Sequence, residues 1–401
     1  MAVRICKGLF IIGLMILVTG CWNRRELNEM SIAVAMGLDE AREGRVLVSV
    51  QVVNPGEIAS KKTSGSGGTP VTTFRAEGNS IFEALRKLTL KLNRKIYLSH
   101  LRMLVIGEEL ARKGIAEPID YLSRDHELRT DFAIVIAKNG KAEAMLDILT
   151  PQEKIPASKL YSSLEVGEKA WASTSKVSLD MLINDLENDG KNPALTGIIM
   201  KGPHNEGQKL SNLQLTDTKT IMVYDGFAVF RKDKLVGWLN INDSQGYNYI
   251  QGKVKSTIIV NSCSGGVIEV ELIRTKTAVK ATLTEKGEPK IIVDVHGEGN
   301  VGDVSCDINM LDPTTIPRIE RMTEQRIVEI IKGVVDTTQS KYKTDILGFG
   351  DTVHRAYPQQ WKKWKQDWDS TFMHLTVQVD VHIDIRRIGT INQPIKSKVR
   401  K

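Results

Sequence analysis

Three stretches of this chain place titratable or glycine-rich residues where chemistry could occur. Asp380, His382 and Asp384 alternate along an extended run, so they fall on one side of a strand, a spacing that could ligate a metal. The opposite side is wholly apolar: Val377, Val379, Val381, Ile383 and Ile385. A half-exposed strand shows water just such a polar face, so no metal site is read there. Asp125-His126-Glu127 could supply an acid and a base. It has neither a serine on a nucleophile elbow nor a His-Glu-x-x-His to work with. Gly65-Ser66-Gly67-Gly68 lacks the Gly-Lys-Ser/Thr ending of a phosphate cradle and reads as a flexible loop. The chain is therefore not read as an enzyme, and no cofactor is expected.

One residue does carry chemistry, and it is a modification. Arg4 and Lys7 precede an apolar run from Leu9 to Val18, then the small pair Thr19-Gly20 and Cys21. A positive start, a short apolar middle and small residues at the end define a secretory signal. The run is about half the ~20 residues of a membrane-spanning helix, so it is read as removed. Cys21 after the small pair resembles a bacterial lipobox. This predicts cleavage between Gly20 and Cys21 and lipidation of Cys21, with two acyl chains holding the body firmly on a membrane.

Composition is that of a globular body, 41% hydrophobic and 26% charged with a mild net charge of +7. Aromatics are only 5%, and no concentrated basic face with stacking rings argues for nucleic acid. With Cys6 in the signal and Cys21 lipidated, Cys263 and Cys306 remain. A bridge is allowed outside the cytoplasm. However, a simple three-strand meander sets them on opposite outer strands, ~9–10 Å apart and too far to bridge. The expectation is no disulfide.

Periodicity places the remaining elements. Ser31 to Leu38 and Arg45 to Val53 read as a hairpin, Val71 to Ala76 as a strand, and the stretch through Asn93 as a helix capped by Asn79 or Ser80. Strands and helices then alternate to Met200, and Lys201 to Lys209 reads as a linker. Phe227–Arg231 and Leu235–Leu239 read as a hairpin. Thr257–Asn261, Val267–Leu283 and Lys290–Val304 read as an antiparallel meander. A long helix after Pro313 shows the apolar face Ile327, Ile330, Ile331 and Val334. Trp361, Trp364 and Trp368 make one helical stripe, read as core rather than as a membrane-lying face. The fold class is α+β with three mixed α/β domains, the last a long antiparallel meander packed by a long helix. The boundaries are 1–20 signal, 21–200 first domain, 201–254 small middle domain, 255–390 third domain and 391–401 basic tail.

Four stretches together resemble the Ger(x)C lipoproteins, the C subunits of bacterial spore germinant receptors. They are Cys21-Trp22-Asn23-Arg24-Arg25-Glu26-Leu27; Ser99 to Ile115 with Arg124, Asp125, Glu127 and Arg129; Ala228 to Ser256; and Asp345 to Phe372 with Ile385 to Gly389. The resemblance implies a non-catalytic, lipid-anchored subunit on the outer face of the spore inner membrane. It also implies an A-type and a permease-like B-type partner, and a nutrient response that does not rest on binding by this chain alone. Arg24, Arg25 and Glu26, beside the membrane and required by no apolar periodicity, are candidate partner contacts or else a solvated spacer. A solute-binding lipoprotein of a transporter is the alternative, and the long meander argues against its paired parallel lobes.

Overall fold

The computed structural model describes residues 29–59, 68–306 and 308–388. Its first layer is a nine-stranded sheet in the order β3-β2-β1-β5-β6-β7-β8-β9, with β4 (Lys95–Tyr97) beside β1. β1 (Met30–Glu40), β2 (Val46–Val53) and β3 (Val71–Gly78) form an antiparallel meander, so the expected hairpin is present. The centre is parallel: β1 pairs with β5 (Met103–Gly107), β5 with β6 (Ala133–Ala137), and β6 with β7 (Ala194–Lys201). β5 and β6 read MLVIG and AIVIA and are buried at every position, as central parallel strands covered on both faces must be. One face packs Ile81, Leu88, Ile119 and Leu182 from helices, and the other packs Met145, Leu146, Leu160 and Leu164.

The helix expected over Ser80–Asn93 is shorter, spanning Ile81–Leu88. Ser80 Oγ accepts from the Glu83 amide at 3.2 Å, and the Glu83 carboxylate accepts from the Asn79 amide at 2.7 Å. This reciprocal cap fixes its start.

The segment read as a linker carries the short helix His204–Gly207, followed by Ser211–Gln214. β8 (Ile221–Arg231) then pairs antiparallel with β7, and β9 (Lys234–Trp238) closes the edge of the same sheet.

The second sheet has the order β10-β11-β12-β13. β10 (Thr257–Cys263), β11 (Gly266–Leu283) and β12 (Pro289–Val304) are antiparallel, as their turns dictate. β13 (Thr376–Arg387) joins this meander as a fourth strand and runs parallel to β12. The physical reason is the connection. The helix Thr315–Asp336 and the short helices after it cross back over the sheet, and a crossover of that kind returns the chain in the same direction. That helix buries Ile327, Ile330, Ile331 and Val334 against the sheet. It also covers the β13 edge: Glu324 accepts from the Ile383 amide at 3.0 Å and Glu320 from the Ile385 amide at 2.9 Å.

Cys263 and Cys306 are bridged, with Cα atoms 6.2 Å apart, which corrects the expectation of two free thiols. The chain does not stop at the outer edge of β12. Ser305 folds back on Val267, its amide donating to the Val267 carbonyl at 3.0 Å and its Oγ accepting from the Val267 amide at 2.9 Å. Cys306 is thereby carried across the β10–β11 turn to Cys263.

Candidate functional site

Gly20, Cys21, Arg24, Arg25 and Glu26 lie outside the described residues, as does most of the glycine-rich loop. Asp380, His382 and Asp384 lie on the solvent side of β13. His382 Nδ1 stands 3.6 Å from Glu324, while Asp384 is shared with Arg386 at 3.4 Å. Among the described residues no group of three or more His, Cys, Asp or Glu side chains is arranged to hold a metal.

Asp125-His126-Glu127 borders a cleft of about 220 Å³ whose wall includes Phe82, Leu85 and Tyr121. The acidic residues there are committed locally. Asp125 accepts from the Glu127 amide at 2.9 Å and from the Tyr121 hydroxyl at 3.3 Å, and Glu127 pairs with Lys95. Burial and the neighbouring Asp125 carboxylate push the Tyr121 phenol up to about 12, so it stays protonated at neutral pH. The trio builds a turn.

The most concentrated polar constellation is one that periodicity did not reveal. Asp345 is completely buried at the junction of the two sheets. Its Oδ1 accepts from the amides of Leu347, Gly348 and Phe349 at 3.0, 2.9 and 3.3 Å. Its Oδ2 accepts from the Gly350 amide at 2.8 Å and from Trp368 Nε1 at 3.1 Å. Its own carbonyl accepts from the Asn192 amide at 2.7 Å, which ties it to the first sheet just before β7. Burial pushes the carboxyl up to about 6 against the lowering effect of those donors.

Around it, Gly190 and Gly350 meet backbone to backbone: a Cβ on Gly190 would lie 2.5 Å from the Gly350 carbonyl carbon. Gly348 holds φ +78°, a turn that L side chains disfavour. Trp361 and Trp368 pack edge to face at 5.0 Å and are buried, with Trp364 partly so, and the stripe is core. A second tie lies nearby. Tyr342 Oη accepts from the Trp238 amide at 3.0 Å and donates to its carbonyl at 2.6 Å, across the bare face of Gly237. The arrangement locks two sheets together. Its polar atoms are spent on backbone groups and the Trp368 indole, so it offers rigidity.

The two-sheet α/β body has the fold of "Crystal Structure of the GerBC protein". That structure matches at a TM-score of 0.56 and 20% identity, covering 87% of this chain and 96% of that one, which speaks to fold. Two family models match, "Spore germination protein N-terminal domain" over residues 23–200 and "Spore germination B3/ GerAC like, C-terminal" over 225–389. Among relatives, "Spore germination protein KC" of Bacillus subtilis (strain 168) is 34% identical and covers 96% of both chains. "Spore germination protein GerQC" of Bacillus cereus is 22% identical over 95% of this chain and 98% of that one. The chain belongs to the GerAC/GerKC family of spore germination proteins, the C subunits of germinant receptors.

Proposed function

We propose that the chain is a lipid-anchored subunit that acts by contact, without catalysis, beside A-type and permease-like B-type partners on the outer face of the spore inner membrane. Cleavage after Gly20 and acylation of Cys21 tether it. Arg24, Arg25 and Glu26 then lie within a few residues of the bilayer, where an arginine fork can pair with a partner carboxylate. The observation that carries the reading is the lipobox running directly into Cys21-Trp22-Asn23-Arg24-Arg25-Glu26. Two further facts support it: no helix among the described residues is long and apolar enough to cross a membrane, and the family has no known catalytic activity. We also keep the divisions near 200 and 254 as a proposed domain plan.

Metabolic labelling with a palmitate analogue tests the anchor. Wild type is expected to take up label and Cys21→Ala to take up none; label on the variant would move the lipid elsewhere and end this reading.

A further inference from the structure

From Ala84 to Gly107 the chain carries Arg86, Lys87, Lys91, Arg94, Lys95 and Arg102 and not one aspartate or glutamate. The fold gathers most of these charges onto one surface. Helix Ile81–Leu88 buries Ile81, Ala84 and Leu88, and this leaves Arg86 and Lys87 outward. Lys91, Arg94 and Lys95 follow in the exposed link to β4 (Lys95–Tyr97). Two large apolar side chains stand among them without cover, Leu90 at 87% exposure and Phe82 at 52%. Glu83 on the same helix pairs with Lys87 at 2.7 Å and Glu127 with Lys95, and Asp125 borders the cleft beside Arg86. Lys91 is held by a backbone carbonyl, that of Arg75, at 2.6 Å, and Arg86 lies 5.0 Å over the Phe82 ring.

The position of this surface is as telling as its charge. β4 pairs with the very start of β1, Met30 opposite Lys95. Cys21 is nine residues before Met30, so a lipid on it cannot stand more than ~30 Å from that point. The basic surface therefore begins at Lys95, within reach of the anchor, and runs along the body to Phe82, whose end of the helix lies by Gly78, level with the far end of β1.

We propose that this face docks on anionic phospholipid: the cations meet headgroup phosphates while Leu90 and Phe82 enter the interface. The pattern fits an interfacial segment, basic on the polar side with Phe and Leu exposed. It would fix the orientation of a body that the lipid alone leaves free to swing. The proposal rests on the Cys21 anchor only for the nearness of a bilayer.

The test uses full-length protein purified from membranes and added to vesicles of phosphatidylcholine alone or of an equal mixture with phosphatidylglycerol. Flotation on phosphatidylcholine reports the anchor; amide hydrogen exchange over 81–97 reports the face. Protection is expected on the anionic mixture, absent on phosphatidylcholine and reversed by salt. Each basic residue near such a surface changes partitioning by roughly fivefold. Arg86→Gln with Lys91→Gln and Arg94→Gln should therefore weaken protection on the order of 100-fold, and Leu90→Ser should weaken it separately. Exchange over 81–97 that is identical on both vesicles overturns the proposal, as does protection that appears only when other receptor subunits share the vesicle. A protein that fails to float on phosphatidylcholine overturns the anchor instead, and its flotation on the anionic mixture then decides the face.

Discussion

At the scale of single residues the account turns on Asp345. A carboxylate with no exposure is tolerated because four amides and one indole converge on it. Burial still raises its pKa to about 6, above that of an unfolded aspartate. The folded chain therefore binds this proton more tightly than the unfolded chain does. The stability it contributes is full below about pH 4, falls as the pH rises through about 6, and is flat above. The change is on the order of 3 kcal/mol. Asp345→Asn would turn an NH2 toward the Gly350 amide and Trp368 Nε1, leaving donors unmet at ~1–3 kcal/mol each. Urea unfolding should show the variant destabilised and its slope between pH 4 and 6 flattened. An unchanged slope would assign the pH dependence to another group. Periodicity could not reveal this residue, since nothing local marks an aspartate as buried. The turn signal Leu347-Gly348-Phe349-Gly350 just after it, which needs an acceptor for its amides, is the mark a reader could have used.

Elements were legible where their signal is local. The β1–β2 hairpin, the β10–β11–β12 meander and the apolar stripe of Thr315–Asp336 all stand where alternation and turn residues put them. What local signals leave open is set by partners distant in sequence. The direction of β13 depends on the crossover before it, not on its own alternation. Nothing local in 201–209 shows that β8 pairs with β7 in the same sheet. The Cys263–Cys306 bridge was missed because strand spacing was applied to Cys306, although that residue lies beyond the end of its strand. The bridge closes a loop with a sequence separation of 43, for which the chain-entropy model gives about 4 kcal/mol. Cys306→Ser, or reduction of the wild type, should lower unfolding stability by roughly 2–4 kcal/mol. Equal midpoints with and without reductant would mean that the bridge does not constrain the unfolded chain.

At the scale of the whole molecule, the two sheets share a junction through Asp345, Tyr342 and the Gly190–Gly350 contact. The family models leave residues 201–224 between them, yet β7 and β8 pair directly across that gap. Limited proteolysis that cuts between Pro203 and Thr220 should therefore leave both fragments co-eluting in native buffer. Separation would make the division near 200 a true boundary between independent units.

On the proposed reading, a body tethered by lipid beside membrane partners works by touching them. The most direct measurement is affinity capture of the tagged chain from spore membranes, comparing wild type with Cys21→Ala and with Arg24→Ala/Arg25→Ala. Wild type should bring down the A-type and B-type subunits. Loss of the anchor should abolish that recovery, and loss of the arginines should weaken it while labelling of Cys21 continues. Capture of wild type without either subunit, alongside tight binding of a nutrient by the purified chain alone, would contradict the account.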